Sequence, residues 1–391
     1  MADEPRAAVV ARDVLTAGGR AADAAIAAYF TMAVTMPSAA SLGGGGACVM
    51  HDFFEKRDEA VVFLPTLARG DATLGVVPGN VRGLFALHAR YGRLPWADLL
   101  LPGELLARDG HAISRAFARD LARDAARLAA DPAAAAIFSI AGGRAPAEGT
   151  VVRQVELAAV LSALRTRGPG DLYVGQLATR YAEAATTVGW RLTPEDMRDY
   201  VPVLGPPAQQ ADDNDMLIAA PAPTGGPAAL AAWRSGGGTV AASAGPAAGA
   251  SVVALDRDGQ MVACSFTLGR AFGQARMARG LGILLPGTDV VNAADTLVVA
   301  MRVNVPTQRG YVAVAGSRNG SVAAVGRLLR DAERDDINLA PTVAAITSGT
   351  AEGGGPHLQA IQCAMGVPRV QPRCAFETDP TGFGLAVMAD R

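Results

Sequence analysis

The sequence predicts an α+β fold in which two sheets pack together and helices lie outside them. Three features carry this expectation: a short alternating hairpin near the start, a helical stretch through the middle, and strands that dominate after residue 250 and are followed by a further helix. With 391 residues, 50% of them hydrophobic, the chain has ample material for a large buried core.

In chain order, RAADAAIAAYFTMAVTM (20–36) is alanine-rich with apolar residues on nearly every face. That pattern predicts a helix held between layers rather than on a surface. Pro37 ends it, and a glycine run leads into ACVMHDF (47–53), whose partner VVFL (61–64) lies across the charged turn EKRDEA. Residues 81–130 read as mostly helical, punctuated by Gly, Pro and Asp, and 151–189 continue the pattern. LTPEDMRDY (192–200) carries a capping-box start. The segment SGGGTVAASAGPAAGA (235–250) is low in complexity and reads as a surface linker. Strands follow: SVVALD and QMVACSFTL across the turn Asp256-Arg257-Asp258-Gly259, then GILL, LVVAMRVNV and GYVAVAGS. A helix, SVAAVGRLLRDAER (321–334), precedes a mixed tail. No internal repeat is visible, so one domain is expected over 1–391, with halves 1–234 and 251–391 joined by the 235–250 linker.

Composition excludes several functions. A formal net charge of -2, with arginines interleaved among acidic residues, offers no basic footprint for nucleic acid. Apolar runs break well before the roughly 20 residues a membrane span needs, and residues 1–19 lack the apolar stretch of a secretory signal. These features set the expectation of a soluble, cytoplasmic protein with no membrane span. Cys48, Cys264, Cys363 and Cys374 form no CxxC pair and no metal-type spacing with His51, His88, His111 and His357. They read as buried small hydrophobes rather than a disulfide framework or a zinc site.

Several stretches together resemble the γ-glutamyltranspeptidase superfamily. GGRAADAAIAAYFTMAVTMPSAASLGGGGACVMHD is similar to the opening of that family, and VVPGNVRGLFALHARYGRLPWADLLLPGELLARDGHAIS to its next block. LTPEDMRDY, PAPTGGPAAL, AFGQARMARGLGILL, VAGSRNGSVA and DPTGFGLAVMADR match further blocks. The resemblance implies a four-layer αββα sandwich of the N-terminal-nucleophile hydrolase type, with neither cofactor nor metal.

Departures from the family pattern fall on its functional positions. The family cuts its own chain, and the exposed threonine attacks a γ-glutamyl carbonyl with its own amine as base. Aligning Asp258-Gly259 with the family's Asp-Gly puts Gly249 at that threonine, so neither self-cleavage nor transfer is expected. The arginine for the substrate's α-carboxylate maps to Leu64, which cannot make a bidentate contact. Thr267 is kept, whereas the following asparagine becomes Gly269 and the acidic segment becomes PGTDVV (286–291). Two family serines map to Arg302 and Val303. The oxyanion pair maps to Ala315 and Gly316, whose N–H groups would face a pocket with nothing to stabilise. A helical segment that the family carries ahead of its nucleophile is replaced by the linker.

Two readings follow. The first is a catalytically inactive, unprocessed family member that serves as a binding or structural subunit, with self-association or a protein partner covering the uncovered wall. The second is an amide hydrolase of the same superfamily with a relocated nucleophile, for which Ser251, Cys264 and Ser265 are the candidates. A small-molecule sensor is a third reading, disfavoured by the loss of the charged anchors.

Overall fold

The computed structural model describes residues 1–138, 140–236, 248–291, 296–332, 337–347, 355–370 and 372–389. Two antiparallel sheets form its centre. Their strands are β1 (Gly45–Asp52), β2 (Arg57–Phe63), β3 (Val203–Gly205), β4 (Ala208–Asp212), β5 (Asp215–Ala219), β6 (Ala248–Leu255), β7 (Met261–Gly269), β8 (Val298–Asn304), β9 (Arg309–Ser317), β10 (His357–Val367) and β11 (Arg373–Thr378). The first sheet runs β6-β7-β1-β2-β3 and the second β11-β10-β9-β8-β5-β4.

Alternation along each strand sorts side chains into layers. Ala47, Val49, Val253, Ala263, Ala313, Ala315 and Ile361 meet between the sheets. Cys48, Met50, Val252 and Phe266 face outward beneath the helices α1 (Pro5–Thr16) and α2 (Ala21–Thr35). On the other side, Val312, Val314 and Leu358 pack under further helices that carry Leu230, Leu328 and Val343. This is the αββα sandwich that the resemblance implies.

Helix α2 is buried along its whole length, as its all-round apolar pattern predicts. Its alanines let neighbours approach closely: a Cβ on Gly103 of the adjacent helix would lie 2.7 Å from the Phe30 carbonyl. The β6–β7 hairpin turns through Asp256, whose Oδ1 accepts from the N–H groups of Asp258 and Gln260 while Gly259 takes a φ of 86°. The 235–250 linker is corrected at its end, because 248–250 begin β6. Residues 237–247 lie outside the described residues. The mixed tail holds β10 and β11, and β10 runs for 11 residues.

The cysteine reading is also corrected. Cys48 and Cys264 stand directly opposite across β1 and β7, Cys363 and Cys374 across β10 and β11, and both pairs form disulfides. Their positions in the sheet bring together residues that sequence spacing does not link. Alkylation of the denatured, unreduced protein is therefore expected to label no thiol, and alkylation after reduction to label four. Two or four labelled thiols without reductant would remove one or both pairings.

Candidate functional site

The layer between the sheets is apolar at one end and polar at the other. On β6 the inward positions pass from Val253 to Ser251 and Gly249. On β7 they pass from Ala263 to Ser265 and Thr267, on β9 from Ala315 to Ser317, and on β10 from Ile361 to Gln359 and His357. All six polar residues are buried, and this polar end is the candidate site.

Gly249 lies where a side chain has no room. A Cβ there would come within 2.7 Å of Ser317 Cβ and 2.9 Å of the Phe266 carbonyl oxygen. Around it, hydroxyls serve the fold. Thr267 Oγ1 donates to the Ala248 carbonyl at 2.6 Å and accepts from Gly269 N–H at 2.9 Å, which holds the bulge at the start of β6. Ser265 Oγ donates across the layer to the Gly316 carbonyl at 3.0 Å. Cys264 points the other way, into its disulfide, and so has no thiolate to offer as a nucleophile. Ser251 Oγ is buried and has no hydrogen-bond partner among the described residues.

The remaining expected positions are dispersed. Leu64 follows β2, half-buried, and its carbonyl accepts from Tyr200 Oη. Gly269 has a φ of 87° and faces Asp289, the one acidic residue of the 286–291 segment. Arg302 turns outward and donates to Asp212 and Asp215, and Val303 joins the core between the sheets. Ala315 and Gly316 lie inside a strand paired on both sides. Their N–H groups belong to the ladder and face no pocket, which corrects the oxyanion assignment. The turn that opens toward a helix N-terminus is instead Arg318-Asn319-Gly320, ahead of Ser321–Asp331.

Charged residues that sequence reasoning passed over close the polar end. Asp3 accepts from Ser251 N–H at 2.7 Å and from Gln359 Nε2 at 2.6 Å. Asp120 accepts from Ser38 Oγ at 2.7 Å and lies 3.8 Å from Arg318 and 3.9 Å from Arg119. Arg119 donates to the Thr381 carbonyl at 2.6 Å and lies over the Phe383 ring. His357 Nε2 stands 3.9 Å from Asp379, and neither ring nitrogen is hydrogen-bonded. Burial, and then the nearby guanidiniums of Arg318, Arg119 and Arg123, hold His357 neutral, with its pKa well below the usual histidine range. His357 is buried and without a hydrogen-bond partner among the described residues, whereas His51 and His88 are both hydrogen-bonded. Burial raises the Asp379 pKa and pushes that of Asp3 up to about 6. The alternation His357-x-Gln359 and the asparagine-glycine after β9 were the signals available for this group. Among the described residues, no cluster of three or more His, Cys, Asp or Glu is arranged to hold a metal. No helix among them is long and apolar enough to cross a membrane.

Comparison with known proteins places these features. Residues 7–235 match the gamma-glutamyltranspeptidase family model. Human glutathione hydrolase 7 is 30% identical over 248 residues, which cover 59% of this chain and 37% of the relative. The glutathione hydrolase proenzyme of Pseudomonas aeruginosa is 30% identical, over 57% of this chain and 42% of the relative. The chain thus spans less than half the length of these curated relatives. Among solved structures, cephalosporin acylase from Bacillus halodurans superposes with a TM-score of 0.77 over 97% of this chain and 93% of that one, at 16% identity, a likeness of fold. Helicobacter pylori gamma-glutamyltranspeptidase gives 0.53 at 27% identity, over 59% of this chain and 71% of that one.

Asp3 generates a test. Its folded pKa lies above its unfolded one, so the native state holds the proton longer. The penalty for its burial is absent below about pH 4 and grows as pH rises through 6, toward roughly 3 kcal/mol. Asp3→Asn removes that term while Arg318, Asp379, Ser251 and Gln359 stay in place. The stability of the variant relative to the parent, measured by urea unfolding, is expected to be about 1–3 kcal/mol more favourable at pH 7 than at pH 4. An equal difference at both pH values would refute the burial of this carboxylate.

Proposed function

The chain belongs to the γ-glutamyltranspeptidase family, and from that premise we propose that it has lost acyl-transfer chemistry, stays uncut and works as a binding or structural subunit. The observation that carries this reading is Gly249. It supplies no hydroxyl at the position where the family's nucleophile is expected, and its surroundings leave no space for one. Self-cleavage and turnover both need that hydroxyl.

Association is the second part of the proposal. Val201, Val203 and Leu204 are exposed at edge strand β3, beside the end of β2 and Leu64, and such a patch suits contact with a second copy or a protein partner. Two disulfides favour an oxidising compartment over the cytoplasm expected from the sequence. A hydrolase with a relocated nucleophile rests on the unpartnered Ser251 hydroxyl alone.

Denaturing electrophoresis is expected to show one band near 39.9 kDa, and glutathione and a chromogenic γ-glutamyl anilide are expected to remain intact. Two fragments divided near Ala248 would overturn the uncut chain. Turnover abolished by Ser251→Ala would transfer the function to the relocated hydrolase. Sedimentation velocity showing a monomer, together with recovery of no partner, would end the subunit reading.

Restoring the threonine should not restore chemistry. Gly249→Thr is expected to lower stability by about 1–3 kcal/mol through overpacking against Ser317. Adding Ser317→Gly should recover about 0.5 kcal/mol or more, because the two positions share one space. Strict additivity in urea unfolding would show that no such contact exists.

A further inference from the structure

The polar end of the sandwich contains more hydrogen-bond donors than the protein satisfies. Arg318 is 6% exposed, and its Nε has no hydrogen-bond partner among the described residues. Its nearest carboxylate oxygen, on Asp120, is 3.8 Å away, close enough to offset charge but too far to accept a proton. Asp120 is turned to Ser38 instead. Beside Arg318, Ser317 Oγ, Ser251 Oγ, Arg119 Nε and both nitrogens of the His357 ring also lack partners. These groups come from both sheets and one helix, and they meet at one place. Ser317 and His357 are cross-strand neighbours, Ser317 abuts Gly249, and Ser251 follows Gly249 by two residues on the same face.

A buried polar atom without a partner costs about 1–3 kcal/mol, and more if charged. A fold does not gather several in one place without something to answer them. Guanidinium and hydroxyl groups are donors, and a neutral imidazole adds one more N–H. Acceptors are unmatched too, among them Gln359 Oε1, the second His357 nitrogen and the serine oxygens themselves. Such a set calls for a guest rich in acceptors. The Arg318-Asn319-Gly320 turn at the N-terminus of an 11-residue helix adds the positive end of a helix dipole.

We propose that this group is a binding site for a small oxyanion, a carboxylate or phosphate head, held by Arg318 and Arg119 with Ser317 and His357 as further donors. The anchor absent at Leu64 in the first sheet is thereby replaced by cations at the end of the second sheet and on the neighbouring helix. Arg115 and Arg119 lie over the Phe383 ring at 5.6 and 5.1 Å, and Phe383 also lines a cavity of about 440 Å³ in which Arg115 is paired with Glu148 and Arg6 with Glu4.

The site deepens the binding role proposed above, and its failure is separable from the failure of that reading. Turnover of a γ-glutamyl substrate would end the inactive assignment without touching anion binding, whereas the experiment here reads binding only. Thermal unfolding and titration calorimetry of the full chain are carried out with sodium acetate and with inorganic phosphate, against sodium chloride at equal ionic strength. At least one anion is expected to raise the melting temperature saturably beyond chloride, and the one that does so identifies the head group. Arg318→Gln, which also removes the charge that offsets Asp120, is expected to weaken that anion at least tenfold. Should Arg318→Gln fail to fold, Ser317→Ala decides the test. Ser317→Ala, which keeps the charge, is expected to weaken binding several-fold. No response beyond chloride, leaving the donors to water or an adventitious ion only, or an unchanged response in both variants, overturns the proposal.

Discussion

Everything in this molecule depends on how closely its two sheets approach. The facing residues are mostly alanine, valine, serine and glycine, and Ser265 reaches across to hydrogen-bond the Gly316 carbonyl of the opposite sheet. Small side chains permit a short gap, and at its narrowest the gap in turn admits only small side chains, while Met301 and Ile361 find room elsewhere in the layer. Gly249 is the extreme case. Its lack of a Cβ is a packing requirement of this interior as well as a chemical loss, so a reversion at that one residue would have to be matched in the other sheet. Helix α2, with its alanine surface, applies the same rule one layer outward.

Apolar contact ends where the strands end, and there the fold changes from packing to electrostatics. Asp3, Asp120, Asp379, Arg119, Arg318 and His357 lie within a few residues of the strand termini or on segments folded over them. Some are answered by close hydrogen bonds, as Asp3 is by Ser251 and Gln359. Others stand at distances where charge is balanced but hydrogen bonds are not made. A single sandwich therefore carries a rigid, saturated centre and an unsaturated rim.

Much of the framework was legible in the sequence because its signals are local. The β1–β2 and β6–β7 hairpins follow from alternation across short turns, and the Asp256 turn from residue types that hydrogen-bond their own backbone. The long buried helix follows from its all-round apolar surface. Strand β10 was hidden because His357 and Gln359 occupy its inward face, where alternation would call for apolar residues. The disulfides were hidden because they depend on strand register: Cys48 and Cys264 lie 216 residues apart. The arginine cluster was hidden for the same reason, since residues 3, 119, 251, 318, 357 and 379 share no sequence neighbourhood. The expectation that the Ala315 and Gly316 N–H groups face a pocket failed because motif alignment does not distinguish ladder-bonded N–H groups from free ones.

The two margins of the first sheet are treated differently. Along β6, Ala2 lies antiparallel to Val252 and in turn pairs with Leu385, so that this border is closed by the chain's own segments. Along β3, three short residues leave their outer side bare. Exposed strand borders recruit other strands, and a sheet bare on both sides can lengthen without limit into fibres. A sheet bare on one side can be joined only once. Copies meeting through that border would complete each other as a closed pair with two-fold symmetry, and growth would stop there.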